Sequence, residues 1–431
     1  MAISGRAVAL ALFGAAVVVL SPAPGLTLLL VDGLIVMLLG IDVALAGAVR
    51  SLEFSRSGPT SARLGQPVPL VLGVTNHGPR TVRARIRDAW PPSAGARPRT
   101  REVEIPAGER RFVESTLTPT RRGDREPFRI TVRSLGPLGL AGRQGRHSCP
   151  WRVRVLPPFT SRRHLPAALA RLREIEGEVA IRGAGAGSEF DSLRDYVIGD
   201  DVRLIDWRGS ARRAAVVVRS YRPERDRRIV CVLDTGRTSA GRVGDTPRLD
   251  HALDAALLLT SVALRAGDRV SLVAHDSVPR LSLPGSHDHT FLARVSDAMA
   301  TLEPAIVEAD HSGIVSTVLR ETSRRSLVVL FTELAPAVIE EGLLPALPTL
   351  TARHTVVVAA LRDPRIDELV AGRDDVRAVY AAAAAEQTQL RRRELTDLLR
   401  RRGVEVVDAS PGSYAAAVTD TYLTLKSLGR L

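Results

Sequence analysis

Lysine is almost missing from this chain of 431 residues. Lys426 is the only one, so nearly all of the basic charge behind a formal net charge of +13 is arginine. That lack excludes a phosphate-binding P-loop, whose lysine must follow its glycines directly. Gly183-Ala184-Gly185-Ala186-Gly187 has no such lysine, and no strand leads into it as a dinucleotide fingerprint requires. Aromatic residues make up 4% of the chain, too few to interleave with arginines as a nucleic-acid surface demands. The basic charge therefore reads as a compositional bias with no nucleic acid behind it, although an anionic membrane surface would attract it without any dedicated site. Only Cys149 and Cys231 are present, in different expected domains, which argues against a disulfide framework. Cys231 lies in the run Ile229-Val230-Cys231-Val232-Leu233, where a free thiol behaves as a small buried hydrophobe.

What is present is a folded, mostly soluble composition, 45% hydrophobic and 25% charged, on a chain long enough for several domains. Residues 7–20 and 26–49 are apolar stretches separated by the turn Ser21-Pro22-Ala23-Pro24-Gly25, which predicts a transmembrane helical hairpin over residues 1–50. A signal-peptide core is the other reading of the first stretch. Arg6 precedes the hairpin, Arg50, Arg56 and Arg63 follow it, and the turn carries no positive charge. The positive-inside rule then anchors the chain in the inner, cytoplasmic membrane with its soluble domains facing the cytoplasm. Asp32 and Asp42 interrupt the second stretch; ten residues apart, they fall on different helix faces and suit interfacial or hairpin-packing roles better than a shared ion path.

Residues 51–157 switch to short alternating segments, such as Val68-Pro69-Leu70-Val71-Leu72 and Phe128-Arg129-Ile130-Thr131-Val132, broken by turns such as Asn76-His77-Gly78-Pro79. The spacing predicts an immunoglobulin-like β-sandwich with its arginines facing solvent. Residues 158–227 read as a helical linker followed by the least ordinary chemistry in the chain. There GSEFDSLRDYVIGDDVRLIDWRGSAR, residues 187–212, alternates carboxylates and guanidiniums around aromatic residues. Glu189, Arg194, Tyr196, Asp200, Arg203, Asp206, Trp207 and Arg212 are the expected members of a partly buried ion-pair network beneath an aromatic. A hydrolytic or binding site is the alternative, because paired acids can divide acid and base roles. No nucleophile and no metal-ligand spacing accompanies them.

This segment resembles the signature of the "domain of unknown function 58" (DUF58) proteins. The likeness extends to the paired apolar helices, to the sandwich with its Arg121-Arg122-Gly123 and Gly136-Pro137-Leu138-Gly139-Leu140 turns, and to the C-terminal domain. The resemblance implies a membrane-anchored protein that works with a MoxR-type AAA+ ATPase, and with other membrane or envelope proteins, in the assembly or maturation of other proteins.

From residue 228 to 431 apolar strand runs at 228–234, 269–274, 327–331, 355–361 and 404–407 alternate with helical stretches such as 249–266, predicting a doubly wound, mostly parallel sheet. The arrangement is similar to a von Willebrand A domain, whose metal-adhesion site uses a DxSxS loop, a distant threonine and a later aspartate. Here the loop is Asp234-Thr235-Gly236-Arg237-Thr238, with Ser312 in place of the threonine and Glu333 in place of the aspartate. Asp234, Thr238, Ser312 and Glu333 are the expected binding residues. Asp234, Thr238 and Glu333 form a degenerate Mg²⁺ site weakened by Gly236. His275-Asp276-Ser277 and His287-Asp288-His289 read as exposed loops, and the arginine runs 391–393 and 400–402 as solvated helix faces. The expected function is a non-enzymatic, membrane-tethered adaptor docking a partner at the top of this sheet, with a carboxylate- or metal-dependent hydrolase as the alternative.

Overall fold

The two apolar stretches form helices α1 (Gly5–Val19) and α2 (Pro24–Leu45) in the computed structural model, which describes residues 2–182, 189–198, 201–222 and 227–431. Pro24 opens α2, where its missing N–H leaves no gap in the helical ladder. Among the described residues one helix, continuing to Ser51, is long and apolar enough to cross a membrane. Helix α1 has 15 residues, about 22 Å at 1.5 Å per residue, against a hydrocarbon core of about 30 Å. Of the two expected spans, one meets the length requirement and the other does not.

The chain divides into two units, Met1–Pro158 and Phe159–Leu431. In the first, a sheet holding Val82–Ala89, Arg101–Ile105, Arg129–Leu135 and Ala141–His147 faces another holding Leu52–Ser57, Val68–Asn76 and Arg110–Leu117. Leu72, Val74, Val82, Ile86, Ile105, Ile130 and Val132 fill the core between them. The period-two pattern explains the layering: Val82, Ala84 and Ile86 point inward while Arg83, Arg85 and Arg87 alternate outward. A small third sheet, of Ser61–Arg63, Gly123–Arg125 and Val153–Leu156, carries its own cluster around Leu70, Leu117, Val153 and Val155.

Asp42 does not pack within the helical hairpin. Its carboxylate is fully buried against the sandwich turn at residues 136–141, accepting backbone N–H bonds from Leu138 at 2.8 Å, Leu140 at 2.7 Å and Ala141 at 2.8 Å. Gly136 permits this approach, since a Cβ there would lie 2.1 Å from Asp42 Oδ1. The chain just before α1 meets the same place, Ala2 and Ile3 pairing with Gly142 and Ala141. Both ends of the hairpin are therefore stitched to one turn. Residues 24–41 of α2 precede that stitch, about 27 Å of helix. Asp32 remains exposed on α2.

The second unit begins with α3 (Leu165–Arg182), which is no linker: Leu165, Ala168, Leu172 and Ile175 enter the core of the α/β sheet. A two-stranded hairpin follows, Glu189–Asp195 against Val217–Arg222, with the short helix α4 (Trp207–Arg213) between its strands. The glycine run 183–187 lies outside the described residues. The main sheet contains β1 (Arg228–Asp234), β2 (Arg269–His275), β3 (Pro279–Ser286), β4 (Leu327–Phe331), β5 (Thr355–Leu361) and β6 (Glu405–Ala409). Their order is β3-β2-β1-β4-β5-β6, parallel throughout except for antiparallel β3 at one edge. The apolar runs of β1, β4 and β5 do not alternate because both faces are covered, as parallel sheets require. Helices α3, α5 (Arg248–Arg265) and α8 (Pro411–Ser427) pack on one face, and α6 (His311–Glu321) and α7 (Val376–Arg401) on the other.

The single lysine closes this unit. Lys426 on α8 places Nζ 2.8 and 2.7 Å from the two carboxylate oxygens of buried Asp268, which also accepts from the Tyr422 hydroxyl at 2.6 Å. Burial pushes the Asp268 carboxyl up and the Lys426 amine down, and each charge opposes the other's shift. Cys231 in β1 is fully buried, its thiol pushed up to about 12 by desolvation.

Asp42→Ala should leave three donors without their carboxylate, the Ala141 N–H among them buried, at about 1–3 kcal/mol for the buried one and less for the two part-buried ones. Thermal unfolding of the detergent-solubilised chain should show a large drop in Tm for Asp42→Ala and a smaller one for Asp42→Asn. An unchanged Tm for the alanine variant would mean that the turn is not held by this carboxylate.

Candidate functional site

The carboxyl ends of β1 and β4 bring the sequence-expected residues Asp234 and Glu333 to one edge of the sheet. Asp234 ends a strand buried along nearly its whole length and is itself 2% exposed, so its charge must be met by donors. Its Oδ1 accepts the Gly236 N–H at 2.8 Å and its Oδ2 accepts the Thr332 hydroxyl at 2.7 Å. Its backbone carbonyl accepts the Ser239 hydroxyl. The loop is thus folded around the aspartate. Gly236 is tightly placed: a Cβ would lie 3.1 Å from each of Ala309 Cβ, Asp234 Oδ1 and Val307 O.

Glu333 meets a cation. Arg248, the first residue of α5, sets Nη2 3.1 Å from Glu333 Oε1 and donates Nη1 to the Leu361 carbonyl at 2.7 Å, at the end of β5. The Arg248 and Glu333 side chains are 16% and 22% exposed. Asp234, Thr238, Ser239, Arg248, Glu333 and Tyr414 surround a cavity of about 20 Å³, room for roughly one water. The Tyr414 hydroxyl donates to the Ala359 carbonyl at 2.9 Å, and burial drives its pKa upward.

Three of the four expected binding residues, Asp234, Thr238 and Glu333, therefore converge. Ser312 does not: it is exposed on the first turn of α6 and lines no part of the cavity. Its neighbour His311 is the buried one, with Nε2 lacking a hydrogen-bond partner. Burial lowers the His311 pKa and the Asp234 charge opposes that shift. As the side chains stand they do not fit a divalent ion. Mg²⁺ demands near-octahedral oxygen ligands, whereas Glu333 already holds the Arg248 guanidinium, which lines the same cavity of about 20 Å³; each Asp234 oxygen accepts one internal donor and keeps a lone pair. Two like unit charges about 4 Å apart repel by about 4 kcal/mol at an effective dielectric of 20, and a unit charge beside a divalent ion by about twice that.

Sequence reasoning missed Arg248, Thr332 and Tyr414. Thr332 adjoins Glu333, a signal of sorts, but nothing local links Arg248 or Tyr414 to the loop. It also misplaced His275 and Asp276, which are buried at 2% and 0% exposure. Asp276 accepts from Arg280 at 2.6 Å, and His275 Nδ1 lies 2.7 Å from the Asp276 carbonyl. His287, Asp288 and His289 are exposed. Arg392 is buried and paired with Asp408 at 2.7 Å, so the run 391–393 is not a uniformly solvated face. Next to Glu333 on the same rim opens a groove of about 570 Å³ between the turn after β4 and helix α7, lined by Leu334, Pro336, Ile366, Leu390, Arg391 and Glu394.

The signature segment is wired differently from expectation. Asp206 caps α4, accepting the Gly209 N–H at 2.8 Å, and pairs with Arg219 at 2.9 Å, not with Arg203 or Arg212. The reason is placement: the Asp206 N–H bonds to the Val217 carbonyl, setting its side chain beside the neighbouring strand. Arg203 and Arg212 are exposed, and the Arg203 backbone N–H caps onto Asp201 at 2.9 Å. Arg194 and Tyr196 are half-buried. Trp207 is 70% exposed, so it is not a buried lid on the network. Asp200 and the side chain of Glu189 lie outside the described residues.

Bonds from the Gly209 N–H and the Arg219 guanidinium hold the Asp206 carboxyl below its ordinary range. A carboxyl depressed in the folded state stabilises above its unfolded pKa, and that stabilisation is lost as pH falls through the folded value. Asp206→Ala and Arg219→Ala should each lower Tm at neutral pH, with the Asp206→Ala deficit shrinking below about pH 4; Arg203→Ala should not. Differential scanning calorimetry across pH tests this, and equal effects of Arg203→Ala and Arg219→Ala would contradict it.

Comparison with known proteins places these observations. Uncharacterized proteins of Mycobacterium tuberculosis and Mycobacterium bovis are 27% identical over 189 residues, covering 43% of this chain and 58% of theirs, so the match spans little more than half of those relatives. Among solved structures, a CARDB domain from Pyrococcus furiosus matches 24% of this chain and 87% of its own at 18% identity with a TM-score of 0.19. The conserved hypothetical protein BatB from Bacteroides thetaiotaomicron matches 46% of this chain and 98% of its own at 12% identity with a TM-score of 0.27. Scores this low bear on neither site nor activity. The family model of protein of unknown function DUF58 matches residues 192–403, just under half of the chain, from the signature hairpin to the end of α7, and over these residues the chain carries a DUF58 domain.

Proposed function

We propose that this protein is a non-enzymatic adaptor anchored in the cytoplasmic membrane, whose α/β unit is von Willebrand A-like and docks a partner protein at the carboxyl edge of its sheet. The observation that carries the reading is the open groove beside Glu333, with apolar Leu334, Pro336, Ile366 and Leu390 and a polar rim. Open α/β sheets bind their ligands at this edge, and interfaces combine an apolar floor with a polar margin. The strand order with an antiparallel edge strand supports the von Willebrand A-like reading. The partner class implied by the DUF58 resemblance is a MoxR-type AAA+ ATPase, acting with this protein on other membrane or envelope proteins. The arginines flanking the N-terminal helices favour a cytoplasmic soluble part. The hydrolase alternative has less behind it, since Asp206 is engaged as a helix cap and ion-pair partner.

Leu390→Glu and Ile366→Glu should each reduce capture of a MoxR-type ATPase by the detergent-solubilised full chain at least about tenfold, equivalent to about 1.4 kcal/mol. The exposed control Arg203→Ala should leave it unchanged. Equal capture by all three proteins would remove the groove from the interface. A reporter fused after Leu431 that is active only in the periplasm would overturn the orientation.

A further inference from the structure

The cavity at the sheet edge gathers the residue types of a divalent-cation site and yet is organised around a protein cation. Asp234, Thr238 and Glu333 line a space of about 20 Å³, and Arg248 lines it with them. This arginine has little freedom to leave. Its backbone N–H bonds to the Gly241 carbonyl at 2.8 Å, and the helix it opens buries Leu249 and Leu253 in the core within the next turns. Its guanidinium is tied at two points, to Glu333 and to the Leu361 carbonyl at the end of β5. The charge count is consistent. Two carboxylates face the space, one met by the guanidinium of Arg248 and the other by the Gly236 N–H and the Thr332 hydroxyl.

We propose that Arg248 is the resident cation of this edge: it takes the place of a divalent ion, so that the surface keeps its shape without metal and a metal site lies latent beneath the guanidinium. The inference rests on this edge being the working surface of the unit, but its chemistry can be read without any partner. Arginine suits the role because its planar fork reaches a carboxylate and a carbonyl together and keeps its charge at every physiological pH. Removing the guanidinium frees Glu333, which then joins Asp234 and the Thr238 hydroxyl as an oxygen set for a hard cation, water completing the shell.

The test is titration of the detergent-solubilised full chain with Mn²⁺, followed by the electron paramagnetic resonance signal of the free ion. The wild type should show no saturable site. Arg248→Met, similar in length and uncharged, should acquire one whose affinity exceeds any residual wild-type binding at least about tenfold. That gain should vanish in Arg248→Met/Glu333→Gln and in Arg248→Met/Asp234→Asn. Arg248→Lys keeps the charge and should behave as the wild type, which covers the case in which the methionine variant does not fold. Saturable Mn²⁺ binding by the wild type, by Arg248→Lys, or by the Glu333→Gln double variant would overturn the proposal, as would a folded Arg248→Met that binds none. A failure here leaves the groove untouched, and loss of the groove as a docking site leaves the metal titration untouched.

Discussion

Burying a carboxylate is costly unless donors replace the water it leaves behind, and much of this structure follows from meeting that condition. Asp42 meets it with three backbone N–H groups of one turn, Asp234 with an N–H and a hydroxyl, Asp268 with a lysine and a phenol, and Asp276 with a guanidinium. The first three also fix chain segments far apart in sequence, whereas the Asp276–Arg280 pair is local. Asp42 binds the apolar helix to the sandwich, Asp268 binds the last helix to the start of β2, and Asp234 ties the end of β1 to the end of β4. The polar groups act as fasteners at places where hydrophobic packing, which has no direction, would leave the relative setting of elements loose.

At the sheet edge this logic produces a surface that is closed and open at once. The residues nearest Asp234 spend their donors on one another, which leaves space for about one water. The residues beyond Glu333 make no such closure, and apolar side chains there face a groove large enough for a side chain or a short segment of another protein. Arg248 stands at the boundary between the two, holding Glu333 in position. Under the proposed docking role, the ordered inner cluster and the open outer groove are complementary, because a docking surface loses less on binding when its base is already ordered.

Much of the architecture was legible in local patterning. The alternation in residues 82–89 and the unbroken apolar runs of β1, β4 and β5 each state how many faces of a strand are covered, and the structure agrees in both cases. The convergence of Asp234, Thr238 and Glu333 was also legible, since the loop after β1 and the residue after β4 must share an edge in such a sheet. What escaped was pairing over distance. Asp206 turns to Arg219 because the hairpin register places a strand beside its helix cap, and Arg248 reaches Glu333 because α5 begins over the ends of β4 and β5. The burial of Asp276 depends on Arg280 and Thr235 arriving from two directions, and that of Arg392 on Asp408. Charged residues in an arginine-rich chain look solvated by default, and only tertiary geometry selects the few that are not. The first helix was legible in both apolar character and length, and what the reading overestimated was the reach of its 15 residues across a membrane.

The pairing of the single lysine with Asp268 has a practical side. In most proteins amine-directed reagents label many surface lysines and report little about conformation. Here the only side-chain amine lies 9% exposed within an ion pair and hydrogen-bonded to two carboxylate oxygens, so acylating reagents meet no accessible lysine while the second unit is folded. Covalent labelling of Lys426 would then act as an optical-label-free clock for the opening of α8 from the sheet. Lysine-specific crosslinkers and surface coupling, by contrast, would be blind to this protein in its native state except through its terminal amine.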